Sequence, residues 1–520
     1  MMIKSKILDK IKKVTQTKSS KIVLGLVIFL LSLAVSFDRD NISIKIREPS
    51  YDEKMWTNIS IATHAMFNGY VRQGVTDDSW FTGYAYKEGL DIFKVSGNKI
   101  RVDYDKIPIK DYQWFDFALW TFGWKAPNFS KLLKGFYIKW NNPEVDPQGY
   151  FRLGEAERKE NTKLYYSAVP LEYIEYARHV EAFLCSLSLL TVFLIGWRYF
   201  GLLVGLGAWL YLALNSQFIA VNTQAGMDSS LCLFSLVSIF LTLLLAEEIQ
   251  QDKRSIPKII IYSCSLGLSI GLAMSSKFNA ATLYIAIIPV ALSLLFYVIK
   301  QYPKSEEKSN HKYSKLKRLK KEKMLFVKRW SVIILASPAS IFLVSFVTLL
   351  YMNPHLRSQP TKKVAIIRSS VDAYFQRRAE IKQTAHLKES LSASLKLVTS
   401  EMYFSLDKER TNHFGTFGEH IKSRIKLLDG FFILIGIIVA AHKSFLLFKS
   451  HKSTSPYLII LSFYFVILYM NADFIWYPMR RYFMPFHITG SLLISIGFVA
   501  LVQRLKFFSK ITTKHALVKH

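Results

Sequence analysis

Asp52 and Glu53 stand side by side shortly after an apolar run, Ile22–Phe37, that is long enough with its flanks to cross a bilayer. Neighbouring side chains on a helix or strand point in different directions, so the two carboxylates need not share a role. One can face a reaction cleft while the other holds a loop or a helix end. A plainer reading is an acidic turn capping a helix that begins near Met55, because acids are favoured at helix N-termini. Further ionisable residues fall in the links between later apolar runs: Asp228, and the bases Lys125, Lys131, Lys277, Arg480 and Arg481. Each base alone can be a snorkelling anchor. Together they propose a carboxylate base beside a cationic clamp at the depth of lipid headgroups.

That arrangement suits one reaction type. A sugar carried on a polyprenyl phosphate already has a weakly basic leaving group, so no protonating acid is needed. Glycosidases expel an alcohol and use two carboxylates for that reason. Here a single carboxylate suffices to take the proton of an acceptor hydroxyl. Lys and Arg neutralise the charge gathering on the departing phosphate.

The elements that must position these residues follow from the apolar runs. The 520-residue chain is 51% hydrophobic with a formal net charge of +30. Its apolar residues gather into the spans Ile22–Phe37, Val180–Trp197, Leu202–Val221, Ser229–Ala246, Ile259–Ser275, Ala280–Ile299, Ser331–Met352, Gly430–Phe448, Tyr457–Asn471 and Tyr482–Val502. The expectation is an all-α polytopic membrane protein of about ten transmembrane helices. Ionisable residues are expected at one face, with almost no charge at the span centres.

Basic residues crowd the tail 1–21, the loop 300–330 and the tail 503–520. Ten spans put all three on one side, the cytoplasmic one. The segments 38–179 and 353–429 then lie outside, which fits a bacterial plasma membrane. The positive charge is a topology signal and a contact for anionic membrane lipids. Nucleic acid is not an expected partner, since the basic loop lacks aromatic interleaving and a binding module. The first run reads as an uncleaved anchor. Cys185, Cys232 and Cys264 all fall in spans and read as packing residues.

Within the first outer segment, Met55–Tyr70 has helical apolar spacing and is expected to lie along the membrane surface. The alternation Lys99–Tyr104 suggests a strand, Tyr112–Trp124 an aromatic interfacial stretch, and Leu164–Arg178 a helix leading into the second span. Part of Val371–Leu397 reads as helical. The Gly201–Gly207 run reads as a helix-packing surface, not a phosphate cradle.

The sequence resembles the GT-C glycosyltransferases, in particular their protein O-mannosyltransferase and lipid A aminoarabinose transferase branches. The Asp52-Glu53 pair after the first span looks like their acidic motif. Lys125-Ala126-Pro127-Asn128-Phe129-Ser130-Lys131-Leu132-Leu133 is similar to their Lys/His-Pro-Pro-Leu stretch, with Asn128 in place of the second proline. Arg178, Gln224–Leu231 with Asp228 opening a span, Ser276-Lys277-Phe278-Asn279 and Arg481-Tyr482-Phe483-Met484-Pro485 match further elements in order. The resemblance implies a polyprenyl-phosphate sugar donor, a lipid, glycan or protein hydroxyl acceptor, and inversion at the anomeric carbon. It makes Asp52 the general base with Glu53 in support, and has Asp228 orient the sugar, a lysine or the acceptor. Lys125, Lys277, Arg481, Arg480 and Lys131 would hold the donor phosphate. Some relatives use a divalent metal, for which Asp52 and Asp228 are the available ligands. No Trp-Trp-Asp element is present, which disfavours en bloc transfer to asparagine. The alternatives are a transporter or flippase of lipid-linked glycans, for which charge at mid-bilayer is expected, and a non-catalytic assembly subunit.

Overall fold

The structure, a computed structural model, describes residues 18–45, 49, most of 53–64, 93–96, 99–102, 127–145, 170–251, 255–301, 336–353, 356, 391–399, 416–449, 455–474 and 484–518. In chain order the helices are α1 (Lys18–Ser36), α2 (Arg39–Ile42), α3 (Phe129–Asn141), α4 (Leu171–Phe200), α5 (Leu202–Leu214), α6 (Ser216–Asn222) and α7 (Asp228–Gln250). They continue as α8 (Ile256–Met274), α9 (Thr282–Gln301), α10 (Ser337–Met352), α11 (Leu391–Thr399), α12 (Thr416–Lys449), α13 (Pro456–Phe474) and α14 (Met484–Val518). Residues within 53–64 are also helical. Among the described residues one antiparallel hairpin pairs β1 (Phe93–Ser96) with β2 (Lys99–Val102), Phe93 opposite Val102, where alternation predicts a strand.

The protein is an all-α polytopic membrane protein. Among the described residues, seven helices are long and apolar enough to cross a membrane, and α5, α10 and residues 456–469 of α13 are shorter apolar helices. Each expected apolar run overlaps helix in its described residues, but the ends differ. The helix α4 starts at Leu171, well before Val180, so the expected lead-in helix and the second span are one continuous rod that contains Arg178 and Glu181. The expected third span is broken: Asn215 ends α5, and its side chain accepts from the Phe218 N–H at 2.9 Å, which caps α6. Within 371–397, helix is described from Leu391; the aromatic stretch 112–124 lies outside the described residues.

A continuous apolar core joins α4–α9 to α12, α13 and α14. Small residues set its closest approaches. Gly201, at φ +105°, makes the turn between α4 and α5, a conformation that glycine adopts without the Cβ clash. Beyond that turn a Cβ on Gly196 would sit 2.5 Å from the Gly205 Cα, so the two rods pack backbone to backbone. A smaller second core lies at the end where α4 begins. It gathers Ile61, Ile138, Val145, Tyr173, Ile174, Ala177 and Ala225.

Candidate active site

Around that second core the polypeptide brings distant segments together. The N-terminus of α3 is seated first. The Phe129 N–H donates to the Ser275 carbonyl at 2.7 Å. The Asn128 N–H donates to Asn353 Oδ1 at 3.0 Å, and Asn353 Nδ2 reaches Ser275 Oγ at 3.2 Å. The ends of α8 and α10 thus satisfy backbone donors that a helix start leaves open. Farther along, α3 crosses the helical residues within 53–64. A Cβ on Gly135 would overlap the Ser60 carbonyl and lie 2.5 Å from the His64 Cβ, so only glycine lets the two backbones meet. The 53–64 helix buries Trp56, Thr57, Ile59, Ser60, Ile61 and Thr63. That is more than the single buried stripe expected of a helix resting on a membrane surface, because α3 and α4 close over it. The buried hydroxyls are accommodated locally: Thr57 and Ser60 each donate to the carbonyl four residues back, at 2.8 and 2.6 Å.

Three acid–base pairs surround the loop Thr223–Met227. In the first, Arg178 donates from Nε to Glu53 Oε1 at 2.8 Å and from Nη2 to Oε2 at 3.0 Å. Its Nη1 donates to the Ile42 carbonyl at 3.1 Å. Glu53 Oε1 also accepts the Ala225 N–H at 3.2 Å. Both side chains are buried. In the second, Lys134 Nζ lies 2.9 Å from Glu181 Oε1, again fully buried. Lys134 also donates to the Gly226 carbonyl. Ser130 reaches Glu181 at 3.1 Å and the Gly226 carbonyl at 3.2 Å, and Ser229 donates to Glu181 Oε2. In the third, Lys277 Nζ pairs with Asp228 Oδ1. Their side chains are 14% and 6% exposed, so this pair alone keeps some contact with the surroundings.

Of the sequence-predicted site residues, Asp228 and Lys277 are therefore in direct contact. Asp228 opens α7, where the helix dipole favours a carboxylate. Lys277 stands in extended backbone between α8 and the short turn Phe278–Ala281. Glu53 touches the loop that leads to Asp228 through the Ala225 N–H but is held by Arg178. Lys131 is fully buried on α3, and burial together with the nearby Lys134 holds its amine well below the usual lysine range. Asp52, Lys125, Arg480 and Arg481 lie outside the described residues. Asp52 directly precedes the anchored Glu53.

Sequence reasoning left Lys134 and Glu181 out of the site. Glu181 departs from the expectation of nearly uncharged spans: it sits inside the expected run Val180–Trp197 and is matched there by Lys134. A carboxylate inside an apolar run is itself a signal of function or of a buried partner. No sequence cue joins it to a lysine on another helix. At the opposite end of the bundle, Arg198 and Glu247 meet at 2.9 Å, but both are about half exposed and such a pair adds little.

A divalent ion would want several hard oxygen ligands. Among the described residues no three of His, Cys, Asp and Glu come together, and Asp228 already faces an ammonium. Asp52 lies outside those residues.

Residues 174–309 match the family model described as dolichyl-phosphate-mannose-protein mannosyltransferase, a GT-C family. A comparison with curated proteins gives no match. Among solved structures, the chain is similar to the archaeal oligosaccharyltransferase AglB from Archaeoglobus fulgidus, solved with an inhibitory peptide and a dolichol-phosphate. Identity is 11% and the TM-score 0.46, over 95% of this chain and 52% of that one. ArnT from Cupriavidus metallidurans, bound to undecaprenyl phosphate, is 13% identical with a TM-score of 0.27, over 93% of this chain and 78% of that one. The chain thus spans about half the length of AglB. Arg178, Glu181, Asp228 and Lys277 all fall within residues 174–309, the segment similar to that mannosyltransferase family.

Proposed function

We propose that this protein transfers a sugar from a polyprenyl phosphate to a hydroxyl acceptor, at the end of the bundle that holds Asp228 and Lys277. The carrying observation is the contact between those two residues, both inside the segment that matches the mannosyltransferase family. Asp52 takes the proton from the acceptor hydroxyl. The acceptor oxygen bonds to the anomeric carbon as the bond from that carbon to the phosphate oxygen breaks. Polyprenyl phosphate leaves with the electron pair, and the configuration inverts.

Glu53 serves this reaction without touching it. Gripped by Arg178 and the Ala225 N–H, it fixes the first turn of its helix and so aims its neighbour Asp52. Lys277, with Lys125, Arg480 and Arg481, supplies positive charge for the phosphate, and Asp228 orients Lys277. The few charged groups sit in an apolar setting where fixed charges act strongly on a developing oxyanion. The basic tails and the 300–330 loop support a cytoplasmic location for both termini, and with it a reaction on the extracytoplasmic face of a bacterial plasma membrane. The acceptor is a lipid, a glycan or a protein hydroxyl.

The test is sugar transfer in membranes supplied with labelled polyprenyl-phosphate sugars. Asp52→Asn is expected to lower transfer roughly 10²- to 10⁴-fold at normal protein levels, the range for a lost general base. Unchanged transfer would remove Asp52 as the base. It would also point to a non-catalytic subunit.

A further inference from the structure

We propose that Lys134 is a positioning residue, whose buried ammonium, clamped between Glu181 and the Gly226 carbonyl, sets the carboxylate of Asp228 against Lys277. The inference deepens the proposed function, on which its activity arm rests.

The observation is a clamp that brackets Asp228 from both sides. Lys134 holds the Gly226 carbonyl, two residues before Asp228. Its partner Glu181 holds Ser229, one residue after. Ser130 ties the two halves together by reaching both Glu181 and the Gly226 carbonyl, at 3.1 and 3.2 Å. On the far side of the same loop, Glu53 accepts the Ala225 N–H at 3.2 Å. The backbone that delivers Asp228 is thus held before and after by charged groups that never reach the exposed rim.

Energetics argue that this pair is kept for geometry. Removing two full charges from water costs free energy that their attraction repays only partly, and apolar side chains of similar volume often pack as well or better. Lys134 and Glu181 are both fully buried. A Met pair would fill their space, but it could not grip a carbonyl and a hydroxyl on either side of Asp228. Charge-assisted hydrogen bonds give that grip its direction.

The test uses the full chain in lipid nanodiscs and the double variant Lys134→Met/Glu181→Met. Two readouts are taken: acylation of Lys277 by an amine-reactive ester, located by mass spectrometry, and sugar transfer with kcat and KM separated. The expected result is a folded protein with a melting temperature near that of the native chain. Lys277 labelling rises several-fold as its carboxylate partner drifts, and kcat falls by roughly tenfold or more while donor KM stays within about twofold. Unchanged Lys277 labelling in the folded double variant overturns the proposal. If the double variant does not fold, Glu181→Gln carries the same labelling test, since it keeps the shape and loses the charge. Unchanged labelling there overturns the proposal equally. A rise in labelling with a wild type that moves no sugar leaves the positioning role standing and removes the transferase reading instead.

Discussion

Arg178 grips both carboxylate oxygens of Glu53, at 2.8 and 3.0 Å, across 125 residues of sequence. A parallel fork of this kind fixes orientation as well as distance. The start of the 53–64 helix is therefore indexed to α4. Anything carried on the residue before Glu53 inherits that placement.

Glu53→Gln strips the counter-charge from a buried guanidinium. The expected loss is about 3–5 kcal/mol, the usual cost of breaking one side of a buried pair. Thermal melting of the detergent-solubilised protein reads it directly. Arg178→Lys loses the second oxygen contact and is expected to melt lower as well, so a melting point equal to the native one would deny the fork its role.

Lys277→Met leaves the Asp228 carboxylate, 6% exposed, without its ammonium, and should lower stability by up to the roughly 3–5 kcal/mol of a broken buried pair. Sugar transfer should fall by about 10²-fold or more, as expected on losing one electrostatic contact to a developing oxyanion. Transfer kinetics beside a melting curve separate the two effects. A variant that keeps its rate would take Lys277 out of the phosphate clamp.

Gly135→Ala inserts a methyl group where the Ser60 carbonyl already lies. Overpacking of this kind typically costs about 1–3 kcal/mol. The damage should be local, pushing α3 off the 53–64 helix. Hydrogen exchange should show faster exchange in residues 53–64 and 129–141, with α12 and α14 unchanged. Uniform loss of protection would argue against a local seat.

His64 gives a pH signature. Half-burial beside Phe136, and next the charge of Lys139, hold its imidazole below the ordinary histidine range. The unfolded chain then takes up the proton more readily, so stability is full above about 6.5 and falls as pH drops through that value toward the folded pKa. Melting temperatures at pH 7.5 and 5.5 should show this drop in the native protein and a smaller one in His64→Gln. Equal drops would assign the effect to another group.

The bundle was legible because membrane helices must be apolar along their length, and the runs at Ser229–Ala246 and Ile259–Ser275 coincide with α7 and α8 within a few residues. Helix ends were less legible. The start of α4 is polar and aromatic, and nothing local separates a helix lying beside a membrane from one entering it. The contact of Asp228 with Lys277 joins two residues singled out from the sequence. The Lys134–Glu181 pair was not legible, because the two residues lie on different helices and a buried ion pair leaves no spacing pattern. Lys131 is singled out in the sequence and Lys134, three residues on, is not, yet α3 buries both.

Asn353 has a consequence for the order of assembly. Its side chain takes the backbone of Asn128, 225 residues earlier, and the hydroxyl of Ser275. During synthesis the ribosome must have delivered the end of α10 before α3 can find its final seat. A nascent chain that stops short of residue 353 already contains Lys134, Arg178, Asp228 and Lys277, with the residue that moors Asn128 still to come.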